Sequence, residues 1–246
     1  MPLEQAQEIM WDAWDEQNPR RRIDLARKAL RISDDCADAF VLLAEEASSS
    51  LDEATALYEK GVRAGERALG EKTFTEDAGH FWGLLETRPY MRARAGLANC
   101  LRKAGKLGDA IGHYQQLLRL NPNDNQGNRH MLEVCFVAAG RNDDAAELLE
   151  RYPEESIADW SYTSALVAFR LSGGSPDACE KLRNAVKHNP HVPAYLLGLK
   201  RMPGRMPPHF GIGSVDEAVI YAELHGDNWK KTEGAMEWLE RESKEK

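Results

Sequence analysis

Long apolar runs are missing from this chain of 246 residues. No stretch approaches the roughly 18 apolar residues that a membrane-spanning helix needs, so no membrane partner is expected. An excess of basic residues is missing too. The net charge is −8, whereas affinity for phosphate backbones comes from a Lys and Arg surplus, which argues against nucleic acid as a partner. The opening stretch MPLEQAQEIMWDAW is acidic and amphipathic and has neither the basic start nor the apolar centre of a secretory signal. Cysteine is scarce. Cys36, Cys100, Cys135 and Cys179 form no C-x-x-C pair and each sits inside a helical pattern. They read as reduced, buried thiols of a cytoplasmic protein.

Catalytic motifs are equally sparse. The seven histidines include one close pair, His188 and His191, but Asn189-Pro190 between them ends a helix and separates their faces. There is no H-E-x-x-H, and a metal site is not expected. Gly211-Ile212-Gly213 lacks the preceding strand, the third glycine and the Lys-Ser/Thr of phosphate loops, and reads as a turn. No G-x-S-x-G occurs. Acidic pairs such as Asp143-Asp144 and Glu154-Glu155 stand at turns and helix starts, where negative charge favours the helix dipole. No catalytic residue, cofactor or metal is expected, and the chain reads as non-enzymatic.

What the chain does have is a repeated amphipathic hairpin. In RPYMRARAGLANCLRKAGKLGDAIGHYQQLLRLNP, from Arg88 to Pro122, two helical runs meet at Gly105. The first carries Leu97, Ala98 and Leu101 on one face, and the second carries Ala110, Tyr114, Leu117 and Leu118. This is the spacing of helices buried on one side. Small Ala98 and Ala110 allow close approach, and Pro122 stops the second run. Such a hairpin cannot bury its apolar face alone and needs copies of itself.

The copies are present. Leu132, Phe136, Gly140, Ala145 and Leu149 follow one period after Leu97, Leu101, Gly105, Ala110 and Tyr114. Ala178, Leu182, Ala185 and Pro190 follow Ala110, Tyr114, Leu117 and Pro122 at two periods of about 34 residues. From Arg88 to Pro190 the chain resembles the tetratricopeptide repeat family, with its W-x2-L-G-x2-Y…A-x3-F…P pattern. Arg94 replaces the Trp and Leu101 the Tyr. The fold class expected is all-α: a tetratricopeptide-type α-solenoid, a right-handed superhelix of antiparallel helix pairs. One helical-repeat domain is expected over 1–246, with degenerate repeats at 18–69, an insertion at 70–87, three clear repeats at 88–190, and capping helices with a Pro-rich arm at 191–246.

Within that frame, Leu3 to Trp14 reads as a helix broken at Asn18-Pro19, and Ile23 to Ile32 as the next. Asp34-Asp35 is expected to cap a helix from Ala37 to Ala47. Ala54, Tyr58 and Gly61 mark a helix from Leu51 to Leu69. From Gly70 to Thr87 no full helical stripe is legible, yet His80, Phe81 and Trp82 stand in a row. At least one of these aromatics is expected to pack back onto the hairpin that follows, because two exposed rings would leave an apolar patch. Ser214 with Glu217 reads as a capping box, and Trp229 to Glu240 as the last helix.

The stretch AVKHNPHVPAYLLGLKRMPGRMPPHFGIGSVDEAVIYAELHGDNWKKTEGAMEWL, from Ala185 to Leu239, resembles the C-terminal region of the suppressor-of-tumorigenicity-7 family. NPHVP, the Pro-rich arm, EAVIYA, and Trp229, Gly234, Ala235 and Leu239 occur in order. HFWGLLETRPYMRARAGLA and LRLNPNDNQGNR are similar to bacterial tetratricopeptide proteins that share this tail. Animal members of the family carry membrane segments, which are not carried over to this chain. The resemblance implies a repeat scaffold and no reaction.

In such repeats the first helix of each hairpin lines the concave side. That wall is expected to show Arg92, Asn99 and Arg102, with Arg94 and Tyr90 near its edge, then Gln126, Arg129 and His130, then Trp160, Thr163 and Arg170. These arginines and amides suit a peptide carboxylate, since Arg offers a planar fork and Asn both a donor and an acceptor. Arginines gathered in an acidic chain raise the local positive potential, so the partner is expected to be an acidic or C-terminal peptide segment of a protein. The competing reading is that the arginines pair with acids inside the fold. Chaperone-binding repeats place Lys four residues before the groove Asn. Here Ala95 precedes Asn99, so chaperone-tail binding is not expected. The other functions weighed are a regulatory subunit docking through Phe81 and Trp82, and a small-molecule or hydrolytic site at the Pro-rich arm near Arg205 and His209. The register itself is testable. Ala178→Asp should lower the thermal midpoint markedly, since an unpaired buried charge costs several kcal/mol; an unchanged midpoint would refute this register.

Overall fold

The computed structural model describes residues 1–153 and 157–244, so Glu154-Glu155 lie outside the described residues. Among those described there are thirteen α-helices and no strand. They are α1 (Pro2–Asp15), α2 (Pro19–Ile32), α3 (Ala37–Glu46), α4 (Leu51–Glu76), α5 (Arg88–Lys103), α6 (Leu107–Leu120), α7 (Asn128–Ala138), α8 (Asn142–Arg151), α9 (Ala158–Ser172), α10 (Pro176–His188), α11 (Val192–Leu196), α12 (Val215–Lys231) and α13 (Ala235–Glu242). The chain divides into two compact units, Met1–Leu132 and Glu133–Lys246, with the boundary inside α7.

In the first unit α1 pairs with α2, α3 with α4, and α5 with α6. The first helices also touch one another, α1 with α3 and α3 with α5. Close approach of α4 and α5 depends on two glycines. A Cβ at Gly96 would lie 2.1 Å from the Tyr58 ring, and one at Gly65 would lie 2.7 Å from Cβ of Tyr90. Both positions exclude any side chain, and the rings fill the space a side chain would occupy.

The insertion packs onto this pair of helices. Phe81 is fully buried and clusters with Phe74 (5.3 Å between ring centroids) and Tyr90 (6.3 Å). Burying such a ring contributes about 1.5–3 kcal/mol. The Thr87 hydroxyl donates to the carbonyls of Phe81 and Leu84, and the Gly79 amide donates to the Leu120 carbonyl. The segment is more helical than its sequence suggests. α4 runs on to Glu76 across a kink at Gly70, whose φ of 71° only glycine adopts readily. Phe74 of that extra turn helps to enclose Phe81.

The second unit contains the hairpin of α9 and α10 and the helices that follow it. The buried Glu217 carboxylate joins three segments. It accepts from the Ala158 amide at the start of α9 (2.9 Å), from Asn189 Nδ2 (2.8 Å) and from the Gly213 amide (2.7 Å). The Asn189 carbonyl in turn accepts from the Tyr162 hydroxyl. Half of the expected capping box forms, since the Ser214 hydroxyl accepts from the Glu217 amide, but the Glu217 carboxylate serves Gly213 instead of Ser214. Two further boundaries differ from expectation. Asp34 and Asp35 hold Arg67, and Cys36 takes the N-cap position of α3. Trp229 belongs to α12, which Thr232 ends; left-handed Gly234 (φ 75°) then starts α13.

The expected core residues Leu97, Leu101, Ala110, Tyr114, Leu132, Phe136, Ala145, Ala178 and Leu182 are buried. Phe169 is half-buried and stacks on Trp238 at 4.5 Å. Cys36, Cys100 and Cys135 are buried and Cys179 half-buried, all as reduced thiols, and burial pushes the Cys36 thiol up to about 11. Gly96→Ala should destabilise the chain by about 1–3 kcal/mol, because Tyr58 must move. Gly112→Ala, where an added Cβ meets open space on a helix surface, should stabilise by about 0.5–1 kcal/mol. Urea titration of both variants reads the contrast.

Candidate functional site

A cleft of about 1060 Å³ opens in the first unit. Its walls are one stripe of α1 (Leu3, Glu4, Gln7, Glu8, Trp11, Trp14), the start of α3, and the start of α5. The helical spacing of α1 places that stripe on a single face. Leu85 and Glu86, from the end of the insertion, form part of the rim. Trp11 is 61% and Leu85 69% exposed, so two large apolar side chains flank an open cleft. Such exposure of large apolar groups beside polar ones is characteristic of interaction surfaces.

Charge in this cleft is the reverse of the expectation. Glu4, Glu8, Asp35, Asp38, Glu45 and Glu86 line it against Arg88 and Arg92. Arg92 is held by the fully buried Asp38 in a fork, Nε to Oδ1 at 2.8 Å and Nη2 to Oδ2 at 2.6 Å. Gln7 Nε2 donates to the same carboxylate at 2.9 Å. Arg88 lies over the Trp82 ring at 5.1 Å and donates to the Trp82 carbonyl. Desolvation by the surrounding side chains pushes the Glu45 carboxyl up, and the Glu46 and Asp38 carboxylates add to that shift. The cleft therefore carries net negative potential. The arginine in its floor is engaged within the fold.

The other expected wall residues are dispersed. Arg94 donates to the Tyr90 hydroxyl and stands 4.0 Å from Glu66. Asn99 accepts from the Tyr114 hydroxyl, and Arg102 is half-buried on α5. Gln126 meets Asn128, while Arg129 pairs with the buried Asp124 at 2.9 Å. His130 is half-buried beside it in sequence. In the second unit, Trp160 is 4% exposed and its indole donates to the Leu149 carbonyl. Arg170 donates to the carbonyls of Val137 and Asn228 and to the Thr232 hydroxyl. The guanidinium groups of Arg92, Arg129 and Arg170 thus donate to the protein itself, and that of Arg94 is held against Tyr90. Of the residues expected on or beside one wall, Arg92 and the buried Tyr90 line the cleft.

The aromatic pair of the insertion is likewise divided. Phe81 is core, and Trp82 is half-buried under Arg88. Around Arg205 and His209 the Pro-rich arm is exposed and irregular. Sequence reading missed Trp11 and Leu85. The first looks like one more apolar residue of an amphipathic helix, and the second belongs to a segment without period.

Antiparallel hairpins in series, with small residues where helices meet, define a tetratricopeptide-type α-solenoid. The crystal structure of YrrB, described as a TPR protein with an unusual peptide-binding site, is similar in fold: TM-score 0.52 at 20% identity, covering 69% of this chain and 77% of that one. The chain matches the family described as ST7 protein over residues 2–245, and it belongs to that family. It is 34% identical to the Protein ST7 homolog of Caenorhabditis elegans, covering 94% of this chain and 49% of that protein. It is 32% identical to the suppressor of tumorigenicity 7 protein-like of Homo sapiens, covering 94% of this chain and 44% of the human protein. The chain spans about half the length of these relatives. Among the described residues no helix is long and apolar enough to cross a membrane.

Removing the acid beneath the cleft tests its construction. Asp38→Asn leaves the Arg92 fork without its countercharge and should destabilise by about 1–3 kcal/mol, the part-exposed arginine recovering some hydration. Glu8→Gln, on the exposed rim, should stay within about 0.5 kcal/mol of the parent chain in the same denaturation experiment.

Proposed function

We propose that this chain is a non-enzymatic interaction module whose first unit binds an extended peptide segment bearing apolar anchors and positive charge. The observation that carries this reading is the lining of the α1–α3–α5 cleft: exposed Trp11 and Leu85 beside carboxylates that outnumber its arginines, with Asp38 and Asp35 already paired to Arg92 and Arg67 and with Glu8 and Glu86 exposed. Aromatic side chains in such clefts supply most of the binding energy. The acidic rim supplies attraction at a distance and selects the sign of the partner. YrrB, which shares the fold, is described by its peptide-binding site, and that precedent favours a peptide ligand here. The partner is thus basic where the arginine placement in the sequence suggested an acidic one. Leu85 and Glu86, at the end of the insertion, line the same cleft as α1 and so form part of the proposed surface, whereas Phe81 and Trp82 do not line it.

Fluorescence anisotropy with a defined library of labelled peptides tests the proposal. Peptides with two apolar anchors flanked by Lys or Arg should bind, while the same peptides with Glu or Asp should not. Trp11→Ala should weaken binding at least tenfold with an unchanged thermal midpoint, equivalent to about 1.4 kcal/mol or more. Raising salt from about 50 to 300 mM should weaken it further, because rim charges are screened. Equal binding of acidic peptides, or an undiminished affinity in Trp11→Ala, would defeat the reading.

A further inference from the structure

The second unit holds a polar cluster that the peptide cleft does not involve. Glu133 of α7, Asp159 of α9 and His225 of α12 bring one ligand atom each to within 4.8 Å of one another. His225 Nε2 lies 3.0 Å from Asp159 Oδ1 and 3.5 Å from Glu133 Oε2. Glu133 and His225 are fully buried, and the Asp159 side chain keeps 16% of its surface exposed. This gives the cluster one edge toward solvent.

Two independent observations point to a ligand here. Among the described residues, neither oxygen of Glu133 accepts a hydrogen bond, although both are buried. The Thr163 hydroxyl stands nearby, yet it meets no sound hydrogen-bond geometry with either oxygen. A buried carboxylate without hydrogen bonds is expensive, and proteins pair such charges or give them a metal. The second observation is geometric. Two donor atoms about 2.0–2.1 Å from one ion at a tetrahedral angle stand about 3.3 Å apart, and at an octahedral angle about 2.9 Å apart. The two measured separations, 3.0 and 3.5 Å, fall close to these values.

The surroundings also hold the donors still. Tyr221 stacks on the His225 ring at 4.7 Å between centroids, and its hydroxyl accepts from Trp229 Nε1 at 2.9 Å. The imidazole plane is set by this stacking and by the hydrogen bond between Nε2 and Asp159, while Nδ1 has no hydrogen-bond partner among the described residues. Arg170 adds some positive potential from its place on α9, but its guanidinium is bonded to the Val137 and Asn228 carbonyls and to Thr232.

We propose that Glu133, Asp159 and His225 form a binding site for a single divalent transition-metal ion of the zinc class. One imidazole nitrogen and two carboxylate oxygens suit such ions better than calcium or magnesium, which favour all-oxygen shells. Ligation needs both carboxylates ionised, and a divalent ion supplies the countercharge that their burial otherwise lacks. Remaining coordination falls to water entering at the Asp159 edge. The three donors come from α7, α9 and α12, so the ion would bind those helices together within the second unit and raise its stability.

The full chain, stripped with chelator and dialysed, is titrated with zinc by isothermal calorimetry and, in parallel, followed by thermal melting. The expected result is saturable binding of one zinc per chain, a higher thermal midpoint, and a zinc absorption-edge spectrum with nitrogen and oxygen neighbours at about 2.0–2.2 Å and no sulfur. Glu133→Gln keeps the shape of the side chain and should lower zinc affinity at least tenfold while leaving the metal-free circular dichroism unchanged; His225→Gln should do the same. Asp159→Asn, at the exposed edge, serves should a buried variant fail to fold. No stoichiometric binding by the parent chain would overturn the proposal and leave Glu133 as a neutral buried carboxylic acid. Sulfur in the zinc shell, or affinity kept within twofold in every folded variant, would overturn it by moving the metal elsewhere.

Discussion

Helices in this chain are stable only because their backbones come close enough for each hairpin to borrow the core of its neighbour. The packing of α4 on α5 shows how narrow that requirement is. Gly65 and Gly96 leave gaps that the Tyr90 and Tyr58 side chains fill, and neither gap has room for one more methyl group. The first helices of the first unit depend on this packing for their spacing, and the spacing opens the cleft between them. Ordering the insertion follows from the same packing, since Phe81 and Phe74 lie against the Tyr90 ring.

Electrostatics in the first unit is organised by burial. Asp38 has no access to water and is tolerable only with a countercharge, and Arg92 together with Gln7 supplies its hydrogen bonds. Asp124 and Arg129 form a second such pair. These pairs specify geometry more than they stabilise, since desolvation offsets much of the attraction between buried ions. Their consequence for function is indirect. Arg92 is thereby committed to Asp38, and the carboxylates that line the cleft still outnumber its arginines.

In the second unit the buried acids behave in two ways. Glu217 is fully provided for, with amides from Ala158 and Gly213 and the Asn189 side chain on its oxygens. It explains why the NPHVP stretch and the turn before α12 belong together, as both deliver donors to one carboxylate. Glu133, equally buried, has no such set of donors. The contrast between these two glutamates within one unit marks the second as a place where a charged ligand belongs.

The hairpins and their apolar faces were legible in the sequence because a helix repeats every 3.6 residues and every copy reports the same buried stripe. Leu97, Tyr114, Phe136 and Leu182 followed from that period alone, as did the burial of one ring of the Phe81–Trp82 pair from the cost of exposing apolar surface. The helical turn after Gly70 was hidden, since a single short turn carries too few residues to show a period. The fate of the arginines was hidden for another reason. Arg92 reads as a free cation until Asp38, 54 positions away in the chain, is brought within 2.6 Å of it. The same holds for Glu133, Asp159 and His225, which share no motif spacing and meet only when α7, α9 and α12 pack. Local periodicity, determined by the sequence itself, dictated the elements and their buried faces; long-range packing, which no local pattern encodes, decided which charges meet and which are left for a partner.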